Sequence, residues 1–321
     1  MHVWPTDMKI AVLLPCYNEE GAIGTVIQSF RNSLPQARIY VFDNNSSDNT
    51  AKEARKAGAT VRFVKHQGKG YVVRRMFADV DADIYIMADG DDTYDAAAVP
   101  EMVERLFHDN LDMVVGIRKD DDVEAAYRPG HRFGNWMFNR VVSTLFGDSF
   151  TDIMSGYRIM SNRLVKSFPA MSSGFETETE LSIHALQMAL PVAEMETAYK
   201  ERAEGTESKL KTYQDGAWIL WHIILLYKDI RPFSFFGIFA ALFAMLSLGL
   251  GYPVFIDYLD TGLVDRLPTA VLAASIMIMS FIGLTCGLIL DSTGRRRLEA
   301  KRLTYLTFPS LRSIFAHRKS N

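Results

Sequence analysis

Two hydrophobic patterns divide the chain. From Lys9 to Ile117, short apolar runs of strand length alternate with segments whose apolar residues recur at helical spacing. Lys9 to Pro15, Arg38 to Phe42, Val61 to Val64, Ile84 to Ala88 and Met113 to Ile117 read as strands. Gly21 to Leu34, Asp48 to Ala57, Tyr71 to Val80 and Val99 to Phe107 read as helices, the second opened by the capping cluster Ser46-Ser47-Asp48. Glu176, Glu178 and Glu180 fit the first turn of a later helix, where acids offset the dipole. Such alternation predicts an α/β domain with a mostly parallel sheet covered by helices on both faces. Ligands of these sheets bind beyond the carboxyl ends of the strands. The polar clusters Tyr17-Asn18-Glu19, Asp43-Asn44-Asn45-Ser46 and Asp89-Gly90-Asp91 all fall at such ends.

The second pattern is uninterrupted apolarity. Phe233 to Ile256 runs 24 residues without a charge, and Pro268 to Leu290 another 23. About 20 apolar residues cross a bilayer as a helix, so both stretches are expected to span. Between them, Asp257 to Leu267 carries three Asp and one Arg, while the chain beyond Leu290 carries eight Lys or Arg against two acids. By the positive-inside rule, that basic end and the large N-terminal domain are expected in the cytoplasm. Ahead of the first span, Trp218, Trp221 and Tyr227 suit a helix lying at headgroup level. The expected organisation is a globular domain over 1–216, an amphipathic juxtamembrane helix over 217–232, and spans over 233–256 and 268–290. A short external loop over 257–267 and a basic cytoplasmic tail over 291–321 complete it. The N-terminus has no basic region leading into a long apolar run, so no signal peptide is expected.

Charge and cysteine usage narrow the function classes. A net charge of −3 leaves no electrostatic footprint for nucleic acid. Cys16 and Cys286 lie far apart, with neither disulfide nor zinc spacing, as suits a reducing compartment. The chemistry concentrates between Ile86 and Ala96, where Asp89, Asp91, Asp92 and Asp95 crowd behind an apolar run. Carboxylates that close raise one another's pKa unless a cation sits among them. Thr93 and Tyr94 stand where an EF-hand loop needs an acid and a glycine, and Gly68-Lys69-Gly70 continues with Tyr71 rather than as a Walker A loop. The first strand ends in Pro15-Cys16-Tyr17-Asn18-Glu19, not in a dinucleotide-binding glycine turn. What remains is an Asp-x-Asp step that suits Mg²⁺ or Mn²⁺ bridged to substrate phosphates.

Taken in order, Ile10 to Glu20, Asp43 to Thr50, Gly68-Lys69-Gly70, Asp89-Gly90-Asp91, Gly116-Ile117-Arg118, Asp152 to Arg158 and Arg202 to Leu210 resemble the motifs of family 2 glycosyltransferases. Among these, the chain looks most like the polyprenyl-phosphate glycosyltransferases, and the apolar hairpin matches their membrane-anchored branch. The resemblance implies a GT-A fold. It places Pro15, Tyr17, Glu19, Asp43, Ser46, Lys69 and Asp89 around the donor, with Asp89 and Asp91 as ligands of Mg²⁺ or Mn²⁺. It assigns the acceptor phosphate to Arg118, Arg132, Arg158, Arg202, Ser208 and Lys209, because guanidinium forks bind phosphate oxygens bidentately. Asp91, Arg118 and Asp152 are the expected catalytic set. Asp152 stands where a general base has its place in the family, yet an ionised acceptor needs little proton removal, so an orienting role is expected for it. The family's Asp-Ala-Asp appears here with Gly90 in the middle, and Cys16 reads as a packing residue.

The activity so implied is inverting transfer of a hexose from a nucleoside diphosphate sugar to a polyprenyl phosphate at the cytoplasmic membrane face. UDP-glucose is the expected donor on family frequency alone. Nucleic acid is not an expected partner, and self-association is left open. A processive polysaccharide synthase would resemble this chain early but carries Gln-x-x-Arg-Trp, and none of Trp4, Trp136, Trp218 and Trp221 follows an arginine. A non-catalytic nucleotide-sugar-binding scaffold is the other alternative, against which both Asp89 and Asp91 are intact.

Overall fold

The computed structural model describes residues 8–118, 151–172, 177–198, 224–225 and 227–320. The chain folds as two compact units, one formed by 1–212 together with 301–321, the other by 213–300. In the first unit the strands are β1 (Ile10–Cys16), β2 (Arg38–Asp43), β3 (Thr60–Phe63), β4 (Ile84–Met87), β5 (Met113–Arg118), β6 (Arg158–Ser161) and β7 (Val192–Thr197). They form one sheet in the order β3-β2-β1-β4-β6-β5-β7. Strands β1 to β5 lie within a residue or two of where the apolar runs placed them. β6 went unpredicted, because a strand that opens with Arg158 does not read as apolar. It runs antiparallel between β4 and β5, with Ile159 opposite both Ile86 and Val114.

Helices α1 (Ile23–Ser33), α2 (Thr50–Lys56), α3 (Lys69–Asp79) and α4 (Val99–His108) connect the early strands. α1 buries Ile23, Val26, Ile27 and Phe30, and α4 buries Val99, Met102, Val103 and Leu106, the same i, i+3, i+4, i+7 stripe on each. Both stripes join a core with Val12, Leu14, Ile84 and Ile86, where each fully buried large aliphatic side chain contributes roughly 1.5–3 kcal/mol. Because β1 pairs in parallel with β2 and β4, the turns after Cys16, Asp43 and Met87 leave the sheet at one edge. That edge positions the site. Helices α5 (Asn162–Ser167) and α6 (Thr177–Gln187) follow β6.

The second unit holds α7 (Pro232–Thr261) and most of α8 (Leu267–Thr307), each long and apolar enough to cross a bilayer. Both helices outrun the charge-free windows that predicted them. Gly262, at φ 69°, ends α7 with its N–H on the Tyr258 carbonyl, and Arg266 pairs with Asp257 at 3.4 Å across the turn. Small residues face each other inside the hairpin. Ser247 Oγ donates to the Ala273 carbonyl at 2.7 Å, Ser280 Oγ donates to the Ala240 carbonyl at 2.6 Å, and Gly287 faces the backbone of Pro232 and Phe233. Phe239, Leu246, Phe281 and Leu288 point outward, as lipid-facing side chains do. Of the helix expected over 217–232, the described residues 224–225 and 227–230 are helical, and Trp218 and Trp221 lie outside the described residues.

The basic stretch expected as a tail from 291 is instead helical, and 301–321 belongs to the sheet-bearing unit. Helix α9 (Leu311–Ser320) sends Leu311 into the core. Arg318 binds both oxygens of Asp83 at 2.8 and 3.2 Å, Arg312 donates to the His108 carbonyl, and Phe315 meets Phe107 edge-on. At the end of α8, Tyr305 donates to Asp112 at 2.8 Å. Asp112 is fully buried and also receives Ser161 Oγ and both arms of Arg163. Two of the basic residues of that stretch, Arg312 and Arg318, are thus paired with a carbonyl and a carboxylate of the fold.

Removing the Tyr305 hydroxyl with Tyr305→Phe is expected to cost about 1 kcal/mol, whereas Asp112→Ala strands the largely buried Arg163 and costs roughly 3–5 kcal/mol. Thermal unfolding of the detergent-solubilised protein measures both. A pH effect accompanies them. His184 is buried against Phe168 and Ser167, and burial, then the charge of Lys301, push its pKa down to about 3 from the ordinary 6.5. Between those values the unfolded chain binds the extra proton, so stability held above pH 6.5 is lost as the pH falls toward 3. His184→Gln is expected to flatten that part of the stability profile.

Candidate active site

At the shared strand edge, the turns are cross-linked by their own side chains. Asn18 donates its N–H to Ser46 Oγ at 3.0 Å, and its Oδ1 accepts from the Ser47 N–H at 2.8 Å. Glu19 N–H reaches Thr50 Oγ1 at 2.8 Å, Glu20 N–H reaches Asp48 Oδ2, and Glu20 Oε2 accepts from the Asn49 N–H. The turn after β1 and the turn after β2 thus satisfy each other's backbone. Asp43 is buried, with Oδ1 3.3 Å from the Ser46 N–H. Asn44 extends the lattice to the third turn, donating to the carbonyls of Val64 and His66 and accepting from the Gly68 N–H at 2.7 Å. Of the residues expected around the donor, Tyr17, Glu19 and Ser46 stand on these turns, while Pro15 and Asp43 lie at the ends of β1 and β2 and Lys69 opens α3.

Beside them lies a buried ionic chain. Lys69 Nζ is 2.5 Å from Asp89 Oδ1 and 2.5 Å from Glu178 Oε1, with its side chain 11% exposed. Burial alone would lower the pKa of that lysine, but the charges of Asp89 and Glu178 outweigh it and hold the ammonium well above its ordinary value. Lys69 is thus neither solvated nor free. Glu178 is 4% exposed, and its Oε2 is buried without a hydrogen-bond partner. Gly156 passes so close that a Cβ there would stand 2.9 Å from Asp89 Oδ2 and 3.3 Å from Lys69 Nζ. Its N–H donates to Tyr94 Oη, and the Tyr94 ring stacks on Tyr157 at 5.0 Å. Asp91 Oδ1 accepts from Thr93 Oγ1 at 2.7 Å, which shapes the turn that Asp92 completes at φ 58°.

The segment 151–158 carries Asp152 and is held from two sides. Glu194 on β7 accepts from the N–H groups of Thr151 and Asp152 and from Thr151 Oγ1. Ser155 Oγ donates to the Gly116 carbonyl at 2.6 Å. Asp152 Oδ1 accepts from the Met154 N–H at 3.2 Å. Arg158, expected as a phosphate ligand, is fully enclosed. Its guanidinium donates to the carbonyls of Ile153 and Ser155, and burial lowers its pKa to about 10, still charged at neutral pH. That corrects its place: Arg158 braces the Asp152 segment from inside the sheet and has no open face for an acceptor.

Arg118 closes β5, opposite Thr197. Arg132, Arg202, Ser208 and Lys209 lie outside the described residues. The structure adds Glu178, Tyr94, Gly156 and Glu194 to the site, to none of which the sequence had given a role there. Glu178 was hidden by its position in a helical first turn, where an acid already has an explanation.

A chain with a donor-side lattice, an acid step and a mostly parallel sheet has relatives. A model of glycosyl transferase family 2 matches residues 11–168. A dolichyl-phosphate hexose transferase of Haloferax volcanii is 31% identical over 210 residues, 65% of this chain and 90% of that protein. Protein RfbJ of Shigella flexneri is 60% identical over 126 residues, 39% of this chain and 98% of that one. The chain belongs to glycosyl transferase family 2. In fold, it is similar to glucosyl-3-phosphoglycerate synthase from Mycobacterium tuberculosis, solved with Mn²⁺, UDP and glucosyl-3-phosphoglycerate. The TM-score is 0.56 at 22% identity, over 71% of this chain and 85% of that one, and it shows the GT-A architecture.

Within this family member, the donor set can be tested against a divalent ion. Among the described residues, no three His, Cys, Asp or Glu side chains converge as a metal cluster. Asp89 and Asp91 leave one turn together, and the buried Glu178 Oε2 lacks a partner nearby on the same lysine. The two hard carboxylates of one turn, Asp89 and Asp91, suit Mg²⁺ or Mn²⁺ whose other ligands come from phosphate and water, while the orphaned oxygen of Glu178 marks residual negative charge on the Lys69 side.

The glycine in the acid step has a steric cause. A Cβ at Gly90 would lie 2.5 Å from Cys16 Sγ, so the cysteine fills the space that the family's alanine would take. Cys16 is buried, and burial, followed by the charges of Glu19, Asp89, Asp43 and Asp91, pushes its thiol well above the ordinary value. Gly90→Ala should therefore displace the acid turn, at about 1–3 kcal/mol of strain, and weaken binding of a metal–nucleotide pair. Adding Cys16→Ala should recover the lost affinity, as read by titration calorimetry with Mn²⁺ and UDP.

Proposed function

We propose that the protein transfers a hexose from a nucleoside diphosphate sugar to a polyprenyl phosphate, with inversion at the anomeric carbon. The observation that carries this reading is the meeting of Asp89, Lys69 and the interlocked Pro15–Glu20 and Asp43–Thr50 turns at one sheet edge, in a family 2 chain with a bilayer-length apolar hairpin. A relative named dolichyl-phosphate hexose transferase supports the class of acceptor. Uridine as the base, glucose as the sugar, and the cytoplasmic face as the side of reaction follow from the family resemblance and the basic residues after the second span.

The nucleoside would lie across the β1 and β2 turns, with Asp43 and the Tyr17 segment around base and ribose. The diphosphate would then point to Lys69, Asp89 and Asp91. Asp89 and Asp91 would hold the divalent ion, which when bound would supply charge neutralisation for the departing diphosphate. An oxygen of the acceptor phosphate forms the new bond to the anomeric carbon as the bond to the diphosphate oxygen breaks, and the electron pair leaves with the nucleoside diphosphate. That phosphate is largely ionised near neutral pH, so the protein has little proton to remove. Asp152, with one oxygen spent on its own turn and its backbone clamped by Glu194, is suited to orient the acceptor. Arg118, the last residue of β5, would meet the acceptor phosphate on the strength of the family resemblance. The hairpin keeps the catalytic unit on the membrane that holds the acceptor.

Membranes containing the protein, incubated with labelled nucleotide sugars and Mg²⁺, are expected to yield a chloroform-soluble labelled lipid. Label found only in water-soluble polymer would refute the reading. Asp91→Ala is expected to abolish the product with the fold retained. Asp152→Asn is expected to lower turnover while leaving the shape of the pH–rate profile unchanged; disappearance of one ionisation from that profile would make Asp152 the base instead.

A further inference from the structure

We propose that Lys69 serves as a resident cation that occupies the acid site until donor phosphates draw its ammonium away, with Glu178 as the carboxylate that retains it. The inference rests on the transferase reading above. Lys69 Nζ sits 2.5 Å from a carboxylate oxygen on either side, one from the strand-end turn and one from α6. Both lysine and glutamate side chains are nearly enclosed, at 11% and 5% exposure. The Gly156 backbone closes the cage, because any side chain there would strike Asp89 and Lys69. Two carboxylates so placed without a cation would repel each other strongly in a poorly solvated space.

One ammonium does not fully satisfy the pair. The three groups alone sum to one negative charge, which the charge of the buried Arg158 nearby offsets in part, and Glu178 Oε2 is still left buried with no hydrogen bond. While the ammonium holds Asp89 Oδ1, that carboxylate cannot offer its full charge to a divalent ion. A diphosphate presents oxygens that an ammonium binds well, and when Lys69 turns to them, Asp89 is released for the metal. Metal and nucleotide then strengthen each other's binding, and the coupling is reciprocal.

The test uses the full-length protein in detergent and follows Mn²⁺ binding by electron paramagnetic resonance, with and without UDP. Wild-type protein is expected to bind Mn²⁺ weakly alone and about tenfold or more tightly with UDP, the size a single displaced charge at short range produces. Lys69→Met is expected to bind Mn²⁺ about tenfold or more tightly without UDP and to lose the UDP enhancement. Lys69→Arg, which keeps the cation, should stay weak, and Lys69→Met with Glu178→Gln should lose the gain. Mn²⁺ should raise the melting temperature of Lys69→Met more than that of the wild type. If Lys69→Met does not purify, Lys69→Gln makes the same comparison. Nucleotide-free Mn²⁺ affinity unchanged or lowered in the lysine variants overturns the proposal. Failure of the transferase reading registers separately, as absence of the labelled lipid from wild-type membranes while the Mn²⁺ shifts are still recorded.

Discussion

An ammonium shared by the buried Glu178 carboxylate and the half-buried Asp89 carboxylate governs the geometry of this site. Asp89 arrives on the turn after β4, Lys69 on the first turn of α3, and Glu178 on the first turn of α6, so the chain between Lys69 and Glu178 must bring three separate elements to one point. Charges buried this far hold only when the remaining polar atoms around them are placed by the fold, and removing one partner leaves an uncompensated charge. The surrounding structure meets that demand. Gly156 approaches without a side chain, Tyr94 receives its N–H, and Tyr157 stacks beneath, which binds the acid turn to the Asp152 segment.

The edge formed by the turns after β1 and β2 is built on a different principle, with neutral and charged side chains pairing turn to turn. Asn18, Ser46, Asp48 and Thr50 form a lattice in which each turn is the capping partner of the next, and Asn44 carries it to Gly68. Asn18 and Asn45 take up positive φ there, at 57° and 63°, a conformation that asparagine tolerates better than most residues. Such mutual capping gives a rigid edge without regular secondary structure. Rigid edges suit chemistry that depends on positioning two highly charged substrates against each other.

Much of this was legible before any coordinates. Parallel strands buried on both faces read as apolar runs, so β1, β2 and β4 and their polar ends declared themselves, and the charge-free windows declared the hairpin. Three things did not. β6 begins with Arg158, and a charged residue at a strand start conceals burial that exists because two carbonyls and a sheet interior enclose it. Glu178 looked like an ordinary dipole-compensating acid, since one-dimensional spacing cannot reveal that Lys69 arrives from more than a hundred residues earlier in the chain. The basic C-terminal stretch read only as a basic cytoplasmic tail, because charge alone does not say whether Arg318 faces water or Asp83.

The return of residues 301–321 to the sheet-bearing unit carries a consequence for biosynthesis. The unit is discontinuous, interrupted by the whole apolar hairpin, and its last pieces emerge only after both long helices have been made. Until then Asp112 lacks its tyrosine, Asp83 lacks its arginine, and the place taken by Leu311 is open. A chain cut before the first span would therefore lack the partners that Tyr305, Leu311 and Arg318 supply to the sheet-bearing unit.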